Sequence, residues 1–170
     1  MSSAGLTPPE PLSADHQLDE FESGISSLDE WLRHRAAANQ VGGASRTFVL
    51  CSNKTVVGYY SLAASSIAHN LATSKVRRNM PDPVPAVIIG RLAIDRRWQG
   101  KGLGGDLLRD AVLRATTATE TIGVRAILVH AMNNDAKSFY EHFGFRVSPA
   151  EPLTLMATID DIRRAVWNTR

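Results

Sequence analysis

The stretch Gln99-Gly100-Lys101-Gly102-Leu103-Gly104-Gly105 decides the fold of this 170-residue chain. Glycine lets backbone N–H groups approach an oxyanion closely, and a helix that begins at such a loop directs its positive end toward the same point. The stretch follows an apolar run at residues 86–95, which predicts a buried strand, and it precedes a helical stripe of apolar residues between positions 103 and 118. We therefore predict a pyrophosphate-binding loop between a strand and a helix.

Three glycine-loop patterns compete for this stretch. The nucleoside-triphosphate P-loop fails because Gly102 stands where that pattern needs Ser or Thr, and Asp95 stands where it needs glycine. The dinucleotide pattern G-x-G-x-x-G matches formally, but Arg96–Gln99 separate it from the strand. A third pattern, [Gln/Arg]-x-x-Gly-x-[Gly/Ala], is met by Gln99, Gly102 and Gly104. The segments that flank the loop have to decide between the last two.

The segments after the loop extend the third pattern. Residues 124–132 are mostly apolar and predict another strand, which completes a β-α-β unit. Residues 133–145, Asn-Asn-Asp-Ala-Lys-Ser-Phe-Tyr-Glu-His-Phe-Gly-Phe, follow directly. Loop, strand and this segment together resemble the GCN5-related N-acetyltransferase (GNAT) family, which carries N-x-x-A-x-x-F-Y-x-x-x-G-F at this place. The resemblance implies an α/β (α+β) fold, with one acetyltransferase domain over residues 12–170. Its sheet is expected to be twisted, mixed and mostly antiparallel, with a splayed central strand pair and flanking helices.

Other segments resemble one branch of that family, the toxin acetyltransferases of bacterial toxin–antitoxin pairs. They are residues 28–40, 43–49, 58–63, 78–85 and 90–93. The resemblance implies a toxin that transfers acetyl from acetyl-CoA to the α-amino group of aminoacyl-tRNA and so inhibits translation. It also implies two protein partners, which are a ribbon-helix-helix antitoxin and a second copy of the chain in a homodimer.

The resemblance further implies a set of residues that bind the co-substrate. Backbone groups of Leu92 and Ile94 are expected to bind the pantetheine arm, while the amides from Lys101 to Gly105 and the helix dipole hold the pyrophosphate. Asn133 is either a side-chain partner of that arm or a turn former at the end of a strand. The whole predicted set is Leu92, Ala93, Ile94, Arg97, Gln99, Gly100, Lys101, Gly102, Leu103, Gly104, Gly105, Asn133 and Phe139. No metal is expected.

Tyr140 is the predicted general acid. The thiolate that departs from the thioester needs a proton, and a phenol with a pKa of ~10 can donate one within hydrogen-bond reach. No general base stands out, and the α-amino group of an aminoacyl ester needs none, because its pKa is no higher than ~8. A lysine side chain, with a pKa of ~10.4, would need a base. His130 lies in a predicted apolar strand and is expected to be a core residue.

Basic residues concentrate between positions 75 and 101, although the net charge is only +2. Four of them, Lys75, Arg77, Arg78 and Arg91, are predicted to contact tRNA and the acceptor, because clustered cations bind a phosphate backbone. Two alternatives stay open. One is an N-acetyltransferase for a small-molecule amine or a protein N-terminus, which needs an acidic pocket when the acceptor is a cation. The other is a non-catalytic module that binds coenzyme A.

The composition of the chain indicates the number of domains, the absence of a membrane span and the cellular compartment. With 44% apolar residues the chain suits one globular domain, and it has no run of about 18 apolar residues that could cross a membrane. Cys51 is the single cysteine, so we expect a buried thiol, no internal disulfide framework and a reducing, cytoplasmic location. The first residues lack the pattern of a signal peptide. Residues 1–11, rich in proline and small side chains, are expected to form a flexible leader.

Overall fold

The computed structural model describes residues 5–169, which form six α-helices and seven β-strands. The helices are α1 Ser26–His34, α2 Ala36–Gly42, α3 Ser74–Arg77, α4 Leu103–Ala118, α5 Asn134–His142 and α6 Ile159–Asn168. The strands are β1 Leu6–Pro11, β2 Arg46–Ser52, β3 Thr55–Ile67, β4 Val84–Ile94, β5 Ala126–His130, β6 Arg146–Val147 and β7 Thr154–Thr158. Their order is β1-β2-β3-β4-β5-β7-β6, and among the described ladders β4 and β5 alone are parallel. The predicted mixed, mostly antiparallel sheet with flanking helices is confirmed.

The chain divides into two compact units. The first comprises the residues up to Ala63 together with Arg91–Asp110, and the second comprises Ala64–Gly90 together with the residues from Ala111 onward. The glycine loop therefore belongs to the first unit, and the segment that carries Tyr140 belongs to the second.

The first unit is built around aromatic side chains. Phe21 and Tyr59 are fully buried and meet edge to face, with ring centroids 5.6 Å apart. Trp31 of α1 stacks on Tyr59 at 6.0 Å, and the Tyr59 hydroxyl donates to the carbonyl of Leu28 at 2.7 Å. These contacts fix α1, and with it the chain just before α1, to β3.

Strand β1 corrects one expectation. Leu6–Pro11 lies within the predicted flexible leader, yet it pairs antiparallel with β2 from Leu6 opposite Ser52 to Pro11 opposite Phe48. Proline cannot donate a ladder hydrogen bond, but β1 is the edge strand of the sheet, where no second neighbour needs that donor. The pairing also tolerates a register shift within β1. Residues 1–4 of the predicted leader lie outside the described residues.

In the second unit β4 and β5 form the parallel pair. Their described ladder runs from Ala86 opposite Ala126 to Ile89 opposite Val129, whereas β4 itself continues to Ile94. The ladder thus runs almost to the end of β5 at His130, and β4 extends beyond it; the splayed strand pair stays a prediction. The sequence of β5 is apolar on both faces, which is typical of a parallel strand that is covered on both sides. Among residues 5–169, no helix has the length and apolarity that crossing a bilayer requires.

Candidate active site

The glycine loop joins β4 to α4 as predicted. Gly100 and Gly102 have φ angles of 77° and 80°, in the left-handed region that favours glycine. A Cβ at either position would meet no heavy atom within 4 Å, so both glycines border open space. Helix α4 begins at Leu103, and the first amides of any α-helix lack intrahelical acceptors. The loop thus combines free amide donors with the positive end of a 16-residue helix, which is a good site for an anion.

Asp95 organises the turn before the loop. Its side chain is 1% exposed, and its Oδ2 accepts from the amide of Glu22 at 3.0 Å. Its Oδ1 accepts from the amide of Arg97 at 2.9 Å and from Arg97 Nε at 3.0 Å. Burial alone would raise the pKa of Asp95, but the hydrogen bonds from the Arg97 side chain and from both amides outweigh it, so the pKa lies below its ordinary value. The carboxylate is therefore a fixed, charged acceptor.

The side chains of Gln99 and Arg97 contact protein atoms. Gln99 Nε2 donates to the carbonyls of Ser23 and Ile94, at 2.8 Å each. The Arg97 guanidinium lies on Asp95, with a longer contact of 3.8 Å to a Glu20 carboxylate oxygen. Both residues were predicted from the sequence as co-substrate ligands, and neither of their local patterns indicated these partners.

Lys101 differs from its neighbours in the loop. Its side chain is exposed and forms no hydrogen bond or ion pair with any residue from 5 to 169. It is therefore the loop cation that remains available to a bound phosphate.

The last residues of β4 are approached closely by β3. A Cβ on Gly58 would lie 2.8 Å from Ile94 Cδ1 and 3.4 Å from the carbonyl oxygen of Ala93, so this position of β3 needs a glycine or a shift of Ile94. Arg91, a predicted acceptor contact, places its guanidinium 4.2 Å above the Trp31 ring. Burial lowers the pKa of Arg91. Leu92–Ile94 are in β4 as predicted.

In the second unit, Tyr140 lies on α5 and is 6% exposed. Its ring meets Phe139 edge to face at 5.3 Å and Phe145 at 5.7 Å. Burial raises the pKa of the phenol well above its ordinary value. The phenol therefore keeps its proton. Its hydroxyl has no hydrogen-bond partner within residues 5–169.

Asn133 caps α5. Its Oδ1 accepts from the amide of Ala136 at 2.9 Å, and its own backbone is extended. The side-chain oxygen of Asn133 thus acts at the turn between β5 and α5, while the side-chain NH₂ is still available to donate to the pantetheine arm.

The basic residues around α3 are partly engaged. Lys75 Nζ forms an ion pair with Asp161 at 2.7 Å, and Arg77 donates to the carbonyl of His69 at 3.2 Å. Arg78 is exposed and follows the last residue of α3, and it forms no hydrogen bond or ion pair within the described part of the chain. Of this predicted group, Arg78 is the cation most free to meet an external phosphate.

Lys75 also borders an open groove of about 1140 Å³ in the second unit. The charged residues that line it are Lys75, Glu141, Arg146, Asp161 and Arg164. Asp161 pairs with Lys75 and with Arg164, the latter at 3.2 Å. The charged lining of this groove is therefore mixed, and its carboxylate Asp161 is neutralised by two cations.

The prediction of a buried Cys51 is confirmed, and the prediction that His130 is a core residue is wrong. His130, the last residue of β5, is exposed and not a core residue, and its Nδ1 lies 3.0 Å from the hydroxyl of Thr154. Cys51 is buried as predicted, and burial raises the pKa of its thiol to about 11.

Cys51 also lies beside a histidine and a glutamate, with the three donor atoms within 4.8 Å of one another. His16 Nδ1 accepts from the amide of Ser13 at 3.0 Å, which leaves the ring proton on Nε2, 2.7 Å from Glu10 Oε1. A metal ion on Nε2 would have to displace that proton. The donor set is therefore satisfied by its own hydrogen bonds.

Comparisons with known proteins agree with this geometry. Residues 43–147 match the family model described as "Acetyltransferase (GNAT) domain". A curated protein of Mycobacterium tuberculosis, a tRNA-acetylating toxin, is 50% identical over 163 residues, which cover 96% of this chain and 98% of the relative.

Two solved structures are similar over nearly the whole chain. AtaT complexed with acetyl-methionyl-tRNAfMet has a TM-score of 0.85 at 29% identity, covering 94% of this chain and 98% of that one. A Y-to-F mutant of AtaT bound to acetyl-CoA and to the C-terminus of the antitoxin AtaR has a TM-score of 0.81 at 28% identity, covering 94% and 97%. The matching family model and the 50%-identical relative show that this chain belongs to the GNAT acetyltransferase family.

Proposed function

We propose that this protein is a toxin N-acetyltransferase that moves an acetyl group from acetyl-CoA to the α-amino group of aminoacyl-tRNA and thereby inhibits translation. The observation that carries the proposal is the pair of left-handed glycines at the start of α4, in a chain that is 50% identical to a tRNA-acetylating toxin. The complexes of AtaT with acetylated methionyl-tRNA and with acetyl-CoA support the same donor and acceptor.

Acetyl-CoA fits the residues of the loop. The open space at Gly100 and Gly102 admits a pyrophosphate, the amides from Leu103 to Gly105 point from the helix start, and Lys101 adds a free positive charge. When bound, acetyl-CoA supplies an acetyl thioester, whose transfer to an amine forms an amide and releases a thiol. Backbone groups of Leu92–Ile94, the NH₂ of Asn133 and the Phe139 ring complete the proposed binding set.

Tyr140 is the proposed general acid. Because burial raises its pKa, the phenol keeps its proton across the physiological range and presents an O–H donor. An ordinary thiol has a pKa of about 8.5, so Tyr140 first donates a hydrogen bond to the departing sulfur. As general acid it passes its proton to that sulfur, and the proton that the attacking nitrogen loses on becoming an amide replaces the one lost by the phenol. On the acceptor side, an α-amine with a pKa of about 8 is partly neutral at pH 7 and requires no base from the protein.

The acceptor is proposed to meet basic side chains. Lys75, Arg77, Arg78 and Arg91 are the candidates, and Arg78 has the strongest case because it lacks a described partner. Contacts of this kind neutralise phosphates and are weakened by salt.

We also propose a cognate antitoxin of the ribbon-helix-helix class, a homodimer and a cytoplasmic location. The complex of AtaT with the C-terminus of AtaR supports an antitoxin as partner. Light scattering of the purified chain, alone and with the co-expressed antitoxin, measures both assemblies, and a monomer that binds no antitoxin would contradict them.

The test of the function is direct transfer. The protein is incubated with acetyl-labelled acetyl-CoA and bulk charged tRNA, and with deacylated tRNA as the matched control. The proposal predicts label in the RNA fraction of the charged sample only, and alkali should release it, because an aminoacyl ester is hydrolysed by base. Label on a small amine or a protein N-terminus would identify the alternative acceptors. Absence of any transfer would indicate a coenzyme-binding module without catalysis.

A further inference from the structure

The chain just before α1 contacts the turn that leads into the glycine loop. The amide of Glu22 donates to Asp95, and the carbonyl of Glu22 accepts from the amide of Arg96 at 2.8 Å. The next carbonyl, that of Ser23, accepts from Gln99. We define Glu22–Ile25 as the brace segment. Its first two residues thus form hydrogen bonds to Asp95, Arg96 and Gln99, which span the turn from its start to its end.

The brace segment is itself anchored. Asp29 of α1 is 5% exposed, and its Oδ1 accepts from the amide of Ser23 at 3.0 Å and from the Ser23 hydroxyl at 2.6 Å. On the other side, Arg33 donates to the carbonyl of Phe21 at 2.6 Å, and the Phe21 ring is buried against Tyr59. Through these contacts, α1 and the aromatic core hold the brace segment in place, and the brace segment in turn holds the turn.

We propose that Asp95 and Gln99 are positioning residues, which hold the glycine loop in its phosphate-binding conformation through the brace segment and do not touch the coenzyme. The inference rests on the proposed acetyl-CoA site. Gln99 uses one NH₂ group to tie Ser23 to Ile94, so the loop begins from a fixed point at the end of β4. Asp95 is too deeply buried to reach a ligand in the loop, and all its described bonds go to the turn and the brace.

Preorganisation is the physical reason for such a device. Glycines at positions 100 and 102 are the most flexible residues that a backbone can have, and a loop that must be ordered on binding loses affinity for its ligand. A turn that is already fixed by hydrogen bonds lowers that cost before the ligand arrives.

Three variants separate positioning from ligand contact. Gln99→Glu keeps the size of the side chain but places a carboxylate oxygen against two carbonyls, and we expect the Kd for coenzyme A to rise about 10- to 100-fold. Gln99→Arg keeps an N–H donor at this position, as the family pattern allows, so its Kd for coenzyme A should be close to that of wild type. Asp95→Asn turns one acceptor into a donor that faces other donors and should act like Gln99→Glu. Exposed Gln17→Glu and Asp19→Asn are the matched controls, with no expected change.

The measurement pairs calorimetric Kd values for coenzyme A with hydrogen exchange of the hydrogen-bonded amides of residues 96–99 in the ligand-free chain, after thermal melts confirm folding. Positioning predicts weaker binding and faster exchange together for Gln99→Glu. Weaker binding with unchanged exchange would mean that residue 99 acts on the coenzyme directly, by contact or by its charge, and not through the loop; unchanged binding would also overturn the inference. If Asp95→Asn does not fold, Gln99→Glu still decides. Wild-type protein that binds no coenzyme A would refute the proposed function instead, and the exchange comparison would still test the positioning role.

Discussion

Gly144, which ends the helix that carries Tyr140, offers a prediction whose size follows from the structure. Its φ is 109°, and a Cβ at this position would lie 2.6 Å from the Cβ of Ala165 in α6. Gly144→Ala therefore has two costs. Alanine disfavours the positive φ, and its methyl group clashes with the Cβ of Ala165, which cannot rotate away. The conformational part costs about 1–3 kcal/mol, and overpacking of this kind adds about 1–3 kcal/mol.

Together these terms predict a loss of roughly 2–6 kcal/mol, a large share of the ~5–15 kcal/mol that stabilises a typical domain. Urea denaturation followed by circular dichroism measures it as a fall in the midpoint at constant slope. Gly123→Ala is the matched control, because a Cβ there meets nothing within 4 Å and no positive φ is involved. It should change stability by less than about 0.5 kcal/mol.

A double variant tests the cause. Ala165→Gly removes the atom that the new methyl group meets, so Gly144→Ala with Ala165→Gly should relieve the clash. The double variant keeps the strained φ and the cost of about 1 kcal/mol for glycine inside α6. A coupling energy of about 1–3 kcal/mol is expected. Gly144→Ala within about 0.5 kcal/mol of wild type, or a double variant with additive losses, would refute the reasoning.

Three further predictions concern the reaction. Tyr140→Phe should bind coenzyme A like wild type while kcat falls about 10²- to 10⁴-fold, measured by single-turnover transfer, and a fully active variant would exclude the tyrosine as acid. Charge reversal of Arg77 and Arg78 should raise the KM for charged tRNA and leave the coenzyme Kd unchanged; equal loss of both would indicate misfolding. Gly102→Ala should weaken coenzyme binding more than Gly43→Ala, which has the same left-handed φ and equally open surroundings outside the loop, and calorimetry compares them.

Site features that depend on nearby residues could be predicted from the sequence. The glycines of the loop, the start of α4 and the short helix with Tyr140 each rest on spacing within a few positions, and the structure places them as expected. The cap of that helix is local too, but the sequence favours Asn134 or Asp135 in this role, whereas the structure uses Asn133, whose Oδ1 accepts from the amide of Ala136.

Features that depend on distant residues could not. Gln99 and Asp95 reach back more than 70 positions to Ser23 and Glu22, and no period or motif specifies such a meeting. The contact of Arg91 with the ring of Trp31, 60 positions earlier, is of the same kind. The β1 strand was missed because proline composition predicts flexibility, whereas an edge position makes proline harmless.

The most direct measurement of the central claim is the mass of the aminoacyl-adenosine released by ribonuclease from charged tRNA after reaction with acetyl-CoA and the protein. The account predicts a gain of one acetyl group located on the α-amine of the amino acid, and at least about 100-fold less of it in the sample with Tyr140→Phe at early times of a single turnover. An unchanged aminoacyl-adenosine, recovered while acetyl-CoA is consumed on another amine, would contradict it.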